Sequence, residues 1–186
     1  RLAKDCYRIT SGFAAAPLIC SVLTENGFEK EAMRMLLRED FPGWLYQVSM
    51  GATTVWERWN SMLPDGTINP SGMNSFNHYA YGSVGQFLYE NIAGLKGTAP
   101  GFRSIRFAPL IDARLGWCSA AYDSVSGHWE SEWRIHEDGS VSIRLVVPEN
   151  CTAKVVLPYC EKAPFTASAG ELRMTVLWKN FSAMML

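Results

Sequence analysis

A chain of 186 residues is long enough for one ordinary domain or two small ones with a sizeable buried core. Its 17 basic and 18 acidic residues give a formal net charge of -1 and are scattered without runs, so there is no field to attract a polyanion and no nucleic-acid partner is expected. No apolar run is long enough to cross a membrane, and the opening Arg1-Leu2-Ala3-Lys4-Asp5 lacks the apolar core of a signal peptide.

The chain opens without Met and enters helical pattern at once, which reads as a segment of something longer. Thr10 or Ser11 can cap a helix through Phe13, Ala16, Ile19, Cys20 and Leu23, with Gly27 placed to end it in the left-handed conformation. In 28–39 the residues Phe28, Ala32, Met35 and Leu36 recur at helical spacing, giving a second helix and a hairpin with one buried stripe. Pro42-Gly43 breaks that pattern, Trp44 to Met50 makes about two further turns, and Gly51 breaks it again. The stretch 60–77 is rich in Pro, Gly, Asn and Ser and predicts a long ordered loop of the kind that carries function. A last helix is predicted over 77–95.

From Gly97, with Pro100 and Gly101, short alternating segments replace helical stripes. Strands are predicted at 105–107, 115–122, 128–136, 141–147, 152–157 and 172–178, with 164–170 as a loop. Asp138-Gly139 is a two-residue hairpin turn signal that asks for positive φ at both positions. The fold class is therefore α plus β in separate domains, with an antiparallel β-sandwich in the second half. The division is expected at 1–97 and 98–186.

Several chemistries are absent from the sequence: there is no phosphate-cradling Gly-rich loop, no HExxH and no Gly-x-Ser-x-Gly. Five cysteines (Cys6, Cys20, Cys118, Cys151, Cys160), odd in number and without CxxC spacing, are expected to be free thiols, with neither a disulfide framework nor a zinc site. His128 and His136 share the parity of one strand and are expected at the surface. Asn150-Cys151-Thr152 and Asn180-Phe181-Ser182 fit the glycosylation sequon, a short pattern that carries little by itself.

The positive signal lies in Gly51-Ala52-Thr53-Thr54-Val55-Trp56-Glu57-Arg58-Trp59, which sets one carboxylate between two indoles. Such surroundings raise a carboxyl pKa and offer aromatic faces to a pyranose ring. A structural alternative is a capping box, Thr54-x-x-Glu57, in which Glu57 satisfies the backbone of Thr54. In Ser75-Phe76-Asn77-His78-Tyr79-Ala80-Tyr81-Gly82, His78 falls at a predicted helix start, where the dipole favours a neutral imidazole able to donate and accept hydrogen bonds. Its structural alternative is a histidine that caps or packs there.

These two segments and Arg114-Leu115-Gly116-Trp117 resemble, in order and spacing, successive motifs of glycoside hydrolase family 78, the bacterial α-L-rhamnosidases. Thr10-Ser11-Gly12-Phe13, Phe41-Pro42-Gly43-Trp44 and Tyr122-Asp123-Ser124 are similar to weaker patterns of that family, so the resemblance covers roughly 8–158. It implies the last helical hairpins of an (α/α)6 barrel followed by an antiparallel β-sandwich. It further implies inverting hydrolysis of terminal α-L-rhamnosyl groups, a chemistry that requires no cofactor, with Glu57 as general base, His78 on the bound sugar, and Trp44, Trp56 and Trp59 as walls of the substrate site. The implied partners are a rhamnose-containing glycoside or polysaccharide and the remaining N-terminal part of the parent chain, which would bring the general acid. After about 158 the chain departs from the family's pattern. Rival readings are an (α/α)6 glycosidase for another sugar and a non-catalytic carbohydrate-binding remnant.

Overall fold

A computed structural model describes residues 4, 6–157 and 160–177, which divide into two compact units between Phe87 and Leu88. The change of composition at Gly97 lies a little further along, at the end of the first strand of the second unit.

The first unit opens on a helix hairpin, α1 (Ala16–Glu25) and α2 (Glu29–Leu36). Gly27 ends α1 at φ 80°, with Phe28 N–H donating to Leu23 O and Gly27 N–H to Thr24 O, so the turn is a Schellman motif in which glycine carries the left-handed residue without steric cost. The start of α1 departs from expectation. Ala15 is the N-cap, without a side-chain bond, and Pro17 lies in the first turn. The carbonyl of Gly12 accepts from Ala15 and Ala16, and a proline there removes one of the donors a Ser or Thr cap would satisfy. The hairpin buries Ala16, Cys20, Ala32, Met33, Met35 and Leu36, whereas Phe28 stands exposed before α2 and is not part of the stripe. α3 (Trp44–Ser49) follows as predicted.

The helix predicted over 77–95 forms over a shorter span, 80–92, and is irregular. The first unit ends on its 3-10 turn, Ala80–Val84, and a single α turn, Gly85–Phe87. The second unit begins with its π turn, Leu88–Ile92, closed by Ala93 N–H on Leu88 O. Glycines at 82 and 85 lie inside it, and glycine holds regular helix poorly; Gly94 at φ 78° lies just past its end.

The second unit is a six-stranded sheet: β1 (Leu95–Gly97), β2 (Ser104–Phe107), β3 (Trp117–Ser124), β4 (Gly127–Ile135), β5 (Ser140–Val155) and β6 (Phe165–Leu177). All ladders are antiparallel except β2 on β5. The segments 141–147 and 152–157 were expected as two strands; they are one, β5, whose register on β6 shifts between Val147 and Thr152 where Asn150 takes φ 58°. A bulge lets a strand bend without ending, so Pro148-Glu149-Asn150 reads as a break and is not one. β6 begins at Phe165, so the loop predicted over 164–170 is paired strand. The expected strand end at Trp178, the Asn180 sequon and the closing 182–186 lie outside the described residues.

Asp138-Gly139 does turn the chain between β4 and β5, but as a longer hairpin in which Gly139 takes the positive φ (78°). Gly139 N–H donates to His136 O and His136 N–H to Ser140 O, the pattern of a type I turn followed by a left-handed glycine.

One sheet face is packed. Trp129 and Trp133 of β4, Val141, Ile143, Leu145 and Val147 of β5, and Ile105 and Phe107 of β2 are buried there. Two hydrogen bonds pin the chain before β1 to this face: Trp133 Nε1–H to Ile92 O at 2.9 Å and Ser131 Oγ–H to Ala93 O at 2.6 Å. The opposite face carries a chain of ion pairs across four strands. Asp123 and Glu130 hold the two nitrogens of His128 at 2.6 and 3.0 Å, Arg144 joins Glu130 to Glu171, and Arg173 ends the row on Glu171 at 2.8 Å. His128 and His136 are exposed, as expected. All five cysteines are free. Among the described residues no helix is long and apolar enough to cross a membrane, and no three His, Cys, Asp or Glu side chains are grouped to hold a metal.

Candidate active site

Residues 52–59 and 75–78 run beside each other in the first unit without forming helix. Glu57 N–H donates to Ser75 O and His78 N–H to Val55 O, both at 2.8 Å, so the two motif segments are tied backbone to backbone. The capping-box alternative fails on this geometry. No helix starts at Thr54, whose hydroxyl donates to Phe76 O, and Glu57 Oε2 accepts from Ser75 N–H at 3.1 Å. The carboxylate is oriented by the neighbouring segment and not spent on its own.

The loop 60–77 is ordered by its polar side chains, as its composition predicted. Asn69 is the hub: its N–H reaches Ser61 O, its amide nitrogen donates to Asn60 O at 3.2 Å, and its amide oxygen accepts from Ser71 N–H at 3.0 Å. Arg58 donates to Gly72 O at 3.2 Å, and Tyr46 OH anchors Met62 O at 2.9 Å. Gln47 Oε1 accepts from Trp56 N–H at 3.0 Å, which links α3 to the Glu57 segment.

These elements enclose an open cleft of about 400 Å³, within the size of small-molecule sites. Among the described residues Glu57 is the one carboxylate in its lining, beside Arg58, Asn60, Asn69 and Ser71. Phe13, Phe41, Trp59, Met73 and Tyr81 supply the apolar part. Burial pushes the Tyr81 phenol above its ordinary range, against the lowering effect of Arg58.

Of the residues singled out in the sequence, Glu57 and Trp59 line the cleft. Trp44 and Trp56 are buried behind it, at 9% and 2% exposure. Trp44 stacks edge-on against Trp59 and donates Nε1–H to Tyr81 O at 2.9 Å; Trp56 sits edge-on to Phe76. His78 is half-buried next to the lining residue Phe13, ring centroids 5.3 Å apart. Its Nδ1 accepts from Ala80 N–H at 3.3 Å, so the capping role weighed for it is real. Rings run continuously from His78 through Phe13 and Tyr81 to Trp59 and Trp44, at 5.3, 5.2, 3.7 and 5.3 Å. Phe13, Phe41, Asn69, Met73 and Tyr81 were not singled out as site residues. Phe13, Phe41 and Tyr81 lie in the family-like motifs, and Asn69 and Met73 in the loop 60–77, but residue type alone does not mark them as lining one cleft.

Comparison with known proteins agrees with this picture. Residues 1–92 match the bacterial α-L-rhamnosidase 6 hairpin glycosidase domain, and residues 94–170 the bacterial α-L-rhamnosidase C-terminal domain. An α-L-rhamnosidase of Alteromonas sp. is 38% identical over 81% of this chain and 16% of its own length. One of Streptomyces avermitilis is 40% identical over 84% of this chain and 15% of its own. The chain thus spans about a sixth of the length of the curated relatives it matches. Among solved structures, native α-L-rhamnosidase from Aspergillus terreus superposes with a TM-score of 0.89 at 36% identity, covering 94% of this chain and 20% of that one. The Streptomyces avermitilis α-L-rhamnosidase complexed with L-rhamnose gives 0.87 at 33% identity, covering 94% and 19%. With both halves matched in order, by sequence and by fold, the chain belongs to the bacterial α-L-rhamnosidase family.

Proposed function

We propose that this chain supplies the water-activating side of an α-L-rhamnosidase site that removes terminal rhamnosyl groups by inversion, with Glu57 as general base. One observation carries the reading: Glu57 is the only carboxylate among the described residues of the cleft lining and is held through Oε2 by Ser75 N–H, with Oε1 left to take a proton from water. Inverting hydrolysis needs a second carboxyl group roughly 6.5 to 9.5 Å away, on the other face of the sugar, to protonate the leaving oxygen. No second carboxylate among the described residues lines this cleft, so the acid is assigned to another part of the six-hairpin domain. Trp59 and Tyr81 offer ring faces to the sugar, Trp44 holds those rings from behind through its edge-on contact with Trp59 and its bond to Tyr81 O, Trp56 backs Phe76, and His78 contacts the sugar through Nε2. The substrate is a rhamnose-containing glycoside or polysaccharide.

The test is Glu57→Gln in a polypeptide carrying the whole six-hairpin domain. Turnover of an aryl α-L-rhamnoside should fall on the order of a hundredfold or more, while calorimetry still detects rhamnose binding. A variant that keeps more than about a tenth of kcat refutes Glu57 as the base. The 186-residue chain assayed alone should show no turnover; turnover abolished by Glu57→Ala would instead show that the chain holds its own acid.

A further inference from the structure

Phe13 precedes α1 and belongs to neither of the two segments that carry Glu57 and His78. Its ring nevertheless lies between the imidazole and the cleft wall. On one side it stacks on His78, centroids 5.3 Å apart and planes 28° from parallel; on the other it meets Tyr81 at 5.2 Å. Tyr81 in turn lies flat on Trp59 at 3.7 Å. The hydrogen bond from Ala80 N–H to Nδ1 leaves a neutral imidazole with its proton on Nε2. Backbone selects the tautomer only while the ring keeps this plane, which Phe13 holds together with Tyr79, stacked on the imidazole at 5.7 Å and 14° from parallel.

We propose that Phe13 is a positioning residue for the sugar site: it holds the His78 imidazole in one plane and one tautomer and joins it to the Tyr81–Trp59 wall. This rests on the reading of the Glu57 cleft as a rhamnosyl site. A hydrogen-bond donor to a sugar hydroxyl is useful only when its direction is fixed before the sugar arrives, because the orientation is otherwise lost again in entropy. Aromatic contacts of this kind, worth about 0.5–1.5 kcal/mol, correspond to an effect of up to about tenfold. Phe13 is 39% exposed, so its removal leaves no closed cavity.

The experiment is a double-mutant cycle in the enzyme carrying the whole six-hairpin domain, with Phe13→Ala, His78→Ala and the pair, read by rhamnose affinity and by kcat and KM on an aryl α-L-rhamnoside. Phe13→Ala should weaken rhamnose binding and raise KM up to about tenfold with a smaller change in kcat, and should add nothing on top of His78→Ala. Phe13→Tyr keeps the ring and should restore binding. In 15N-histidine-labelled enzyme without sugar, His78 should show a single Nε2–H tautomer that becomes a mixture in Phe13→Ala. Additive losses, or an unchanged tautomer signal, overturn the assignment. The outcomes separate from those of the function itself. Full turnover by Glu57→Gln would remove the catalytic reading and Phe13's role with it, whereas additive losses beside an inactive Glu57→Gln would remove Phe13's role alone.

Discussion

The two units stabilise themselves by different means. The second places its large apolar side chains on one face of a continuous sheet, where Trp129, Trp133, Ile143 and Leu145 are each at most 2% exposed. The first has three short helices, and much of its remainder is held by side chains bonded to backbone: Gln47 on Trp56, Asn69 on Asn60 and Ser71, Arg58 on Gly72. Irregular backbone has no ladder to satisfy it and must be paired one group at a time. That is also how one carboxylate can be aimed without regular structure around it. The candidate site thus lies in the unit whose irregular backbone leans on side chains bonded one at a time, whereas the second unit rests mainly on ladders and apolar packing, with Trp133 and Ser131 adding two such bonds.

The largest expected effect is in the sheet. Trp133→Ala removes a fully buried indole and its bond to Ile92 O, and should cost about 3–5 kcal/mol in denaturant unfolding of the second unit. A loss below about 1 kcal/mol would mean that the sheet is not the well-packed member of the pair. Gly94→Ala comes next. At φ 78° an added Cβ would lie 2.5 Å from Pro109 N, and left-handed strain alone is worth about 1–3 kcal/mol. Unfolding should again report it.

In the first unit, Gln47→Ala leaves the buried Trp56 N–H without its acceptor, at about 1–3 kcal/mol. Native-state thiol labelling reads that loss locally. Burial pushes the Cys20 thiol up to about 12, so it reacts only when the first unit opens, whereas buried Cys151 reports the second. Gln47→Ala should speed labelling of Cys20 and leave Cys151 unchanged; acceleration of both would couple the units and break the contrast.

The smallest effect concerns His128. The hydrogen bonds its ring nitrogens donate to Asp123 and then Glu130 raise its pKa above the ordinary 6.5. A raised folded-state value adds stability that is fully present below 6.5 and is lost as pH climbs through the folded value. The Tm of wild type should therefore fall slightly more than that of His128→Asn as pH rises through that window. The gap should shrink in high salt, because the pair partners are exposed. An equal pH response in both proteins would show that the ladder contributes nothing.

Much of this was legible in the sequence. Periodicity located α1, α2 and α3, alternation located most of the strands, and Gly27 and Gly139 marked turns for the physical reason given. The misses share a cause. Pro148-Glu149-Asn150 and the small residues before Glu171 look like interruptions until β5 and β6 are paired, and pairing is a long-range fact. The cap at Thr10 or Ser11 lost to a nearby carbonyl, Gly12 O, a donor–acceptor match that residue type does not encode. At the site, Glu57 and Trp59 were legible because they share one short motif. Phe13, Phe41 and Tyr81 stand in motifs the sequence also offered, but their place in the lining was not legible, because the cleft gathers them from three separate segments.

Strand β5 bonds to β2, β4 and β6 together. Its ladder with β2 joins Ser104 to Thr152 in parallel, and a parallel pair cannot be closed by a tight turn. The chain between them must be looped before any of that contact is gained. During synthesis β1, β2, β3 and β4 are therefore made before the strand that unites them. The hairpin of β3 and β4 is local enough to form early, while β2 waits for the last residues of β5. Folding of this unit should be a late, single event with the slow rate that non-local pairing imposes, and a ribosome paused before Val155 would carry a sheet that cannot close.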